Sequence, residues 1–110
     1  MREKRIIRQN EKDLIEFLLT QLNLNPEYFP VDELVDEYED GKMGSISLGG
    51  NVDAYAGDLI KVEYIDSDEI PVVITLTHDD KNQLLDLDFW KIDFSKLIEY
   101  PTPDKIILAI

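Results

Sequence analysis

Leu59-Ile60-Lys61-Val62-Glu63-Tyr64-Ile65, Ile70-Pro71-Val72-Val73-Ile74-Thr75-Leu76-Thr77 and Leu84-Leu85-Asp86-Leu87-Asp88-Phe89-Trp90-Lys91-Ile92-Asp93-Phe94 decide the fold. In each segment apolar residues recur at every second position, the period of a strand with one buried face. Turn residues at Ser67–Glu69 and Asp79–Asn82 separate them, so consecutive segments pair as antiparallel hairpins. Closing the first hairpin sets Ile60 against Leu76, Val62 against Ile74 and Tyr64 against Val72. Closing the second around Asp79–Asn82 sets Leu76 against Leu85, Ile74 against Leu87 and Val72 against Phe89. One face then carries Ile60, Val62, Tyr64, Val72, Ile74, Leu76, Leu85, Leu87 and Phe89. A slip of one residue would mix apolar with polar positions, so the register is strongly specified. Burial of each such side chain contributes about 1.5–3 kcal/mol, ample to hold a helix on this face.

That helix lies upstream. Leu14, Ile15, Leu18 and Leu22 recur at helical spacing, Phe17 and Leu19 widen the stripe, and the span Glu11–Leu22 follows Asn10 as its N-cap. Asn23, Asn25 and Pro26 stop it. Between Val31 and Leu48 two readings stand. One is a short acidic helix over 31–39; the favoured one is a hairpin turning at Asp40-Gly41, with Met43–Leu48 as its return arm. Asn51–Gly57 reads as loop. The chain of 110 residues is thus expected to be a single α+β domain over 1–110, an antiparallel sheet of about four to six strands with an N-terminal helix packed on one face.

Charge dominates the composition: 24 acids against 11 bases give a net −13. The first eight residues carry Arg2, Lys4, Arg5 and Arg8 against Glu3, a net +3, which leaves −16 for the remainder. Such a field repels nucleic acid and anionic membrane surfaces and steers basic protein partners inward. No apolar run reaches the length of a membrane span, and no signal-peptide pattern follows the basic start. The absence of cysteine removes disulfides, thiolate metal sites and thiol nucleophiles, and fits a reducing cytoplasm.

Motifs with chemistry are few. Gly41-Lys42-Met43-Gly44 has the outline of a phosphate-gripping GxxG loop, but seven acids between Glu27 and Asp40 lie directly upstream, so a plain turn is expected. Ser47 follows Ser45 rather than a glycine and fails the nucleophile-elbow pattern. His78, the one histidine, sits beside Asp79 and Asp80 near a turn, with no nucleophile nearby. The clustered carboxylates fail the EF-hand spacing, because Pro71 stands where glycine is needed. Asp86 and Asp88 share a strand face and are the strongest candidates for a hard cation, with Lys61 and Thr75 expected beside Asp86. No cofactor and no metal ligand set is assigned. Trp90, Ile92 and Phe94 make an apolar band on the otherwise polar face; the tail Ile106–Ile110 is expected to cover it, the alternative being a partner-binding patch.

The segment Trp90-Lys91-Ile92-Asp93-Phe94, together with Asp40-Gly41-Lys42-Met43-Gly44-Ser45, resembles an uncharacterised family of small bacterial proteins with an N-terminal helix and a C-terminal Trp-Lys-x-Asp-Phe motif. Lys42 stands where that family usually has another glycine. The resemblance implies a bacterial origin and this fold, and brings no catalytic residues with it. The functional expectation is therefore a small acidic non-enzymatic protein-binding domain, an inhibitor or immunity-type neutraliser of a basic protein. Its candidate contacts are Asp36, Glu37, Glu39, Asp86, Asp88 and Trp90. The alternatives are a small metal-binding or hydrolytic enzyme using Asp86 and Asp88, and a homo-oligomeric structural module.

Overall fold

In the computed structural model, which describes residues 4–29, 31–38 and 43–108, one helix and seven strands form around a single sheet. The elements are β1 (Lys4–Ile6), α1 (Gln9–Gln21), β2 (Leu34–Glu37), β3 (Ile46–Ser47), β4 (Tyr55–Ile65), β5 (Pro71–Asp79), β6 (Leu84–Lys91) and β7 (Ile107–Leu108). Every pairing is antiparallel, in the order β1-β2-β3-β6-β5-β4-β7. The class is α+β as expected, with more strands than the four to six expected. β1 and β7 are short edge strands, and neither shows the alternation that marks the central three.

The helix begins two residues before the expected span, because Glu11 rather than Asn10 organises its start. The Glu11 carboxylate accepts from the Arg8 backbone N–H at 2.8 Å and makes a two-pronged contact with the Arg5 guanidinium at 2.9 and 2.7 Å. Arg5 also lies 3.3 Å from Glu37, so part of the basic N-terminal stretch is spent inside the fold. Helix α1 ends where expected. Asn23 adopts φ 57°, and Leu24 N–H reaches back to Leu19 O, a left-handed cap that asparagine tolerates well. Leu14, Ile15, Leu18 and Leu19 are buried against the sheet.

Residues 34–37 and 46–47 pair as the two arms of the favoured hairpin, with Asp36 opposite Ser47. The expected turn at Asp40-Gly41 lies outside the described residues. The β4–β5 register matches expectation residue for residue: Ile60↔Leu76, Val62↔Ile74, Tyr64↔Val72. Strand β4 starts earlier than expected, at Tyr55, with one irregularity between Tyr55 and Gly57, in the span read as loop, and a second between Asp58 and Ile60.

The β5–β6 register differs by two residues. Ile74 faces Phe89 rather than Leu87, Leu76 faces Leu87 rather than Leu85, and Val72 faces Lys91 rather than Phe89. Its cause is local. The Asp79 carboxylate accepts the backbone N–H groups of Asn51, Lys81 and Gln83, which closes a tight turn, and a bulge between Leu76 and His78 absorbs the extra residue. A shift of two preserves the facing of Leu87 and Phe89, but beyond the bulge Leu84 replaces Leu85 in the main core cluster.

The helix-side face is covered twice, by α1 and by the segment 95–106. Leu97, Tyr100 and Ile106 pack onto the core, Tyr64 Oη donates to Glu99 O at 2.9 Å, and the Tyr100 ring lies 5.3 Å from that of Phe89. The chain then joins the outer edge of β4, with Ile107 opposite Glu63 and Leu108 opposite Val62. The expectation that Ile106–Ile110 would cover Trp90, Ile92 and Phe94 is thus corrected. The described part of the tail runs on the other face and then along the far edge. Among the described residues no helix is long and apolar enough to cross a membrane.

Candidate functional site

Strand β6 and the turn after it divide their side chains between two tasks. Lys91 points inward and is fully buried, where Nζ contacts Asp66 at 2.9 Å and Asp68 at 2.7 Å and donates to Lys96 O at 3.0 Å. Asp66, also buried, accepts from the backbone N–H groups of Ser67, Ile98 and Glu99. This cluster fastens the β4–β5 turn, the end of β6 and the C-terminal segment to one another. Burial opposes the ionisation of Asp66, but the Ile98 N–H, the Lys91 ammonium and the Ser67 and Glu99 N–H groups outweigh it and hold its pKa below the ordinary aspartate value. Burial likewise opposes the Lys91 charge; hydrogen bonds to Asp68 and Asp66 win, and its pKa is raised. A buried lysine is tolerated when its donors are satisfied in this way.

After Lys91 the strand stops, three residues short of the expected Phe94, because Phe94 N–H turns back to Lys91 O at 2.9 Å with Phe94 at φ 63°. Asp93 caps that turn through the Ser95 N–H and hydroxyl. Trp90, Ile92 and Phe94 face out, 49%, 50% and 63% exposed, and the Trp90 and Phe94 rings lie 6.2 Å apart at 44°. A left-handed conformation costs a non-glycine residue about 1 kcal/mol. Phe94 bears that cost without burying its ring.

The strand registers assemble the whole outward face. One transverse row runs Lys4, Asp36, Ser47, Asp86. It continues through Thr77, whose Oγ1 accepts the Asp86 N–H at 3.1 Å, to Asp58. The next row holds Ser45, Asp88, Thr75 and Lys61. Below it come Trp90, Val73, Glu63 and Ile107, and then Ile92, Pro71 and Ile65. Two carboxylates are anchored by the residues just after β2 and just before β3: Tyr38 Oη donates to Asp86 at 2.7 Å and Ser45 Oγ to Asp88 at 3.1 Å. Asp36, Asp58, Glu63, Asp86 and Asp88 therefore share a face with Lys4 and Lys61 as its cations. They border a solvent-facing apolar group of Trp90, Ile92, Phe94, Ile65 and Ile107.

Of the residues singled out by sequence, Asp36, Asp86, Asp88 and Trp90 are brought together on this face. Glu37 is not: it points to the helix side and pairs with Arg5. Glu39 and the Gly41-Lys42 pair lie outside the described residues. Asp86 is not beside Lys61 and Thr75 as expected; the two-residue shift gives that place to Asp88. His78 sits near the end of β5 opposite Gly57 and Leu84. Among the described residues no group of three or more histidine, cysteine or acidic side chains is arranged to hold a metal ion. Asp58 and Ile65 were missed as members of the face. Ile65 alternates with the core residues Val62 and Tyr64, and that parity is the signal that would have found it; Asp58 shares their parity and joins the outward face only through the irregularity between Asp58 and Ile60.

A family model described as a domain of unknown function (DUF6984) matches residues 4–101. The chain belongs to that family. The match takes in every element from β1 to β6, together with the Lys91–Asp66 cluster and the outward Trp90–Phe94 group, and stops before β7. No curated protein and no solved structure matches the chain.

Proposed function

We propose that this DUF6984 domain is a small acidic, non-enzymatic binding module that captures a basic protein, in the manner of an immunity protein that neutralises a cationic toxin. One observation carries the reading: a sheet face left uncovered among the described residues sets five carboxylates beside solvent-facing Trp90, Ile92, Phe94 and Ile65. Carboxylates of one sign steer a cationic partner over long range, while a central aromatic group supplies the short-range contact that slows its departure. Nucleic acid and anionic membranes are repelled by the same field. Such a partner-bound module needs no cofactor, and a cytoplasmic location suits it.

Affinity purification from the native host tests this, with the full chain as bait beside an Asp86→Asn/Asp88→Asn/Trp90→Ala variant. The reading expects a basic protein held by the natural chain, released by salt and lost by the variant. Recovery of the same proteins by both baits would overturn it, as would metal-dependent turnover that vanishes with Asp86 and Asp88.

A further inference from the structure

We infer that the partner docks an arginine side chain into the corner formed by Trp90 and Phe94, with Asp88 as its counter-ion. The inference rests on the reading of the open face as the docking surface for a basic protein, and it names the chemistry that surface selects.

Both rings are half exposed or more, tilted at 44° and 6.2 Å apart, so they form an open corner rather than a closed stack. The faces of aromatic rings attract cations, and tryptophan does so most strongly. Asp88 stands two residues before Trp90 on the same strand face, about 7 Å away along the strand. Glu63 lies in the Trp90 row, two strands across. A planar guanidinium can stack on a ring and still present paired N–H donors to a carboxylate. An ammonium is more strongly hydrated and offers no flat surface.

The corner is also built in advance. Ser45 Oγ holds one oxygen of Asp88, Trp90 is paired with Val73 in the ladder, and the neighbouring Lys91 is locked from behind by Asp66 and Asp68. Little ordering is left to be done on binding. Phe94 adds a separate pointer. Its φ of 63° suits glycine or asparagine, and its ring meets Trp90 and solvent, so folding alone gives no reason for a phenylalanine. A second copy of this chain is the wrong occupant on charge grounds, since it would bring the same five carboxylates against themselves in a chain of net −13.

Trp90 is the sole tryptophan, so its emission reports on the corner alone. The full chain is titrated at low salt with a blocked hexapeptide of alternating glycine and arginine, and with the same peptide carrying lysine or citrulline in place of arginine. The arginine peptide is expected to shift Trp90 emission and to bind about 3-fold or more tighter than the lysine peptide, with no response to citrulline. Phe94→Asn and Asp88→Asn should each erase the preference for arginine while the urea midpoint holds. Equal affinity for arginine and lysine peptides overturns the inference and leaves the basic-partner reading standing. Binding without a change in Trp90 emission does the same. Failure of both cationic peptides to bind overturns both. Self-association with no peptide response assigns the face to a second copy and also overturns both.

Discussion

The two faces of the sheet treat similar residues in opposite ways. On the helix side even Lys91 is fully buried, and its ammonium is matched by two carboxylates and a carbonyl. On the other side Trp90 and Phe94, among the largest apolar residues in the chain, stand in solvent. The alternation of a single strand and its turn produces both: Lys91 and Asp93 do structural work while Trp90, Ile92 and Phe94 face outward. The contrast teaches that burial here follows coverage rather than residue type. Helix α1 and the segment 95–106 cover one face, and among the described residues nothing covers the other. A lysine can be buried where its charge is met, and an apolar side chain left outward asks for a partner.

The largest effect that would break this contrast is expected at the Lys91 cluster. Asp66→Ala should lower stability by about 3 kcal/mol in urea unfolding, because it leaves the buried Lys91 ammonium with Asp68 as its one remaining carboxylate and strips the Ile98 and Glu99 N–H groups of their acceptor. The same cluster sets a pH signature. The Asp66 pKa is lowered in the fold, so its contribution is fully present above the ordinary aspartate range and is lost as pH falls below about 4. Lys91 has a raised pKa, so its contribution holds below the ordinary lysine range and is lost only as pH climbs above it. The stability gap between the natural chain and Asp66→Asn should therefore close in acid. A gap that stays constant down to pH 2 would contradict the assignment.

A smaller effect is expected at the edge. Deleting residues 106–110 removes Ile106 from the core margin and the half-exposed Ile107 and Leu108 from β4, which should cost about 2–3 kcal/mol by thermal or urea unfolding. Trp90 emission should be unchanged by the deletion, since the described part of the tail runs along β4 and does not cover it. A red shift on deletion would restore the tail to the Trp90 face. Smaller still, Phe94→Asn should leave stability unchanged or raise it by up to about 1 kcal/mol through relief at φ 63°.

Much of this architecture is legible in the sequence, and the misses have physical causes. Period-two alternation alone gives the β4–β5 register, because Val62, Tyr64, Val72 and Ile74 admit one pairing that buries them all. The β5–β6 register escapes by two residues, since counting loop length cannot anticipate a bulge or an Asp79 carboxylate that gathers three distant and local N–H groups. The parity of Lys91 sets it on the face of Leu87 and Phe89, but what makes that burial possible is not local: its partners Asp66 and Asp68 lie more than twenty residues upstream and meet it only in the folded chain. The tail is apolar enough to announce burial, but composition does not say against which face. The candidate site is legible as a parity: Asp86, Asp88 and Trp90 lie on one face of β6, and Asp36 joins them through Ser47. Glu37 departs from it because adjacent strand residues face opposite ways.

The central claim is that the helix-side face folds the protein and the Trp90 face does not. It is tested most directly by urea unfolding of the Trp90→Ser/Ile92→Ser/Phe94→Asn variant beside the natural chain. The account predicts stabilities within about 1 kcal/mol of each other, as for half-exposed side chains that lie outside the core cluster. A loss of about 3 kcal/mol or more, the scale of emptying a core, would show that these side chains belong to the packed interior and would contradict it.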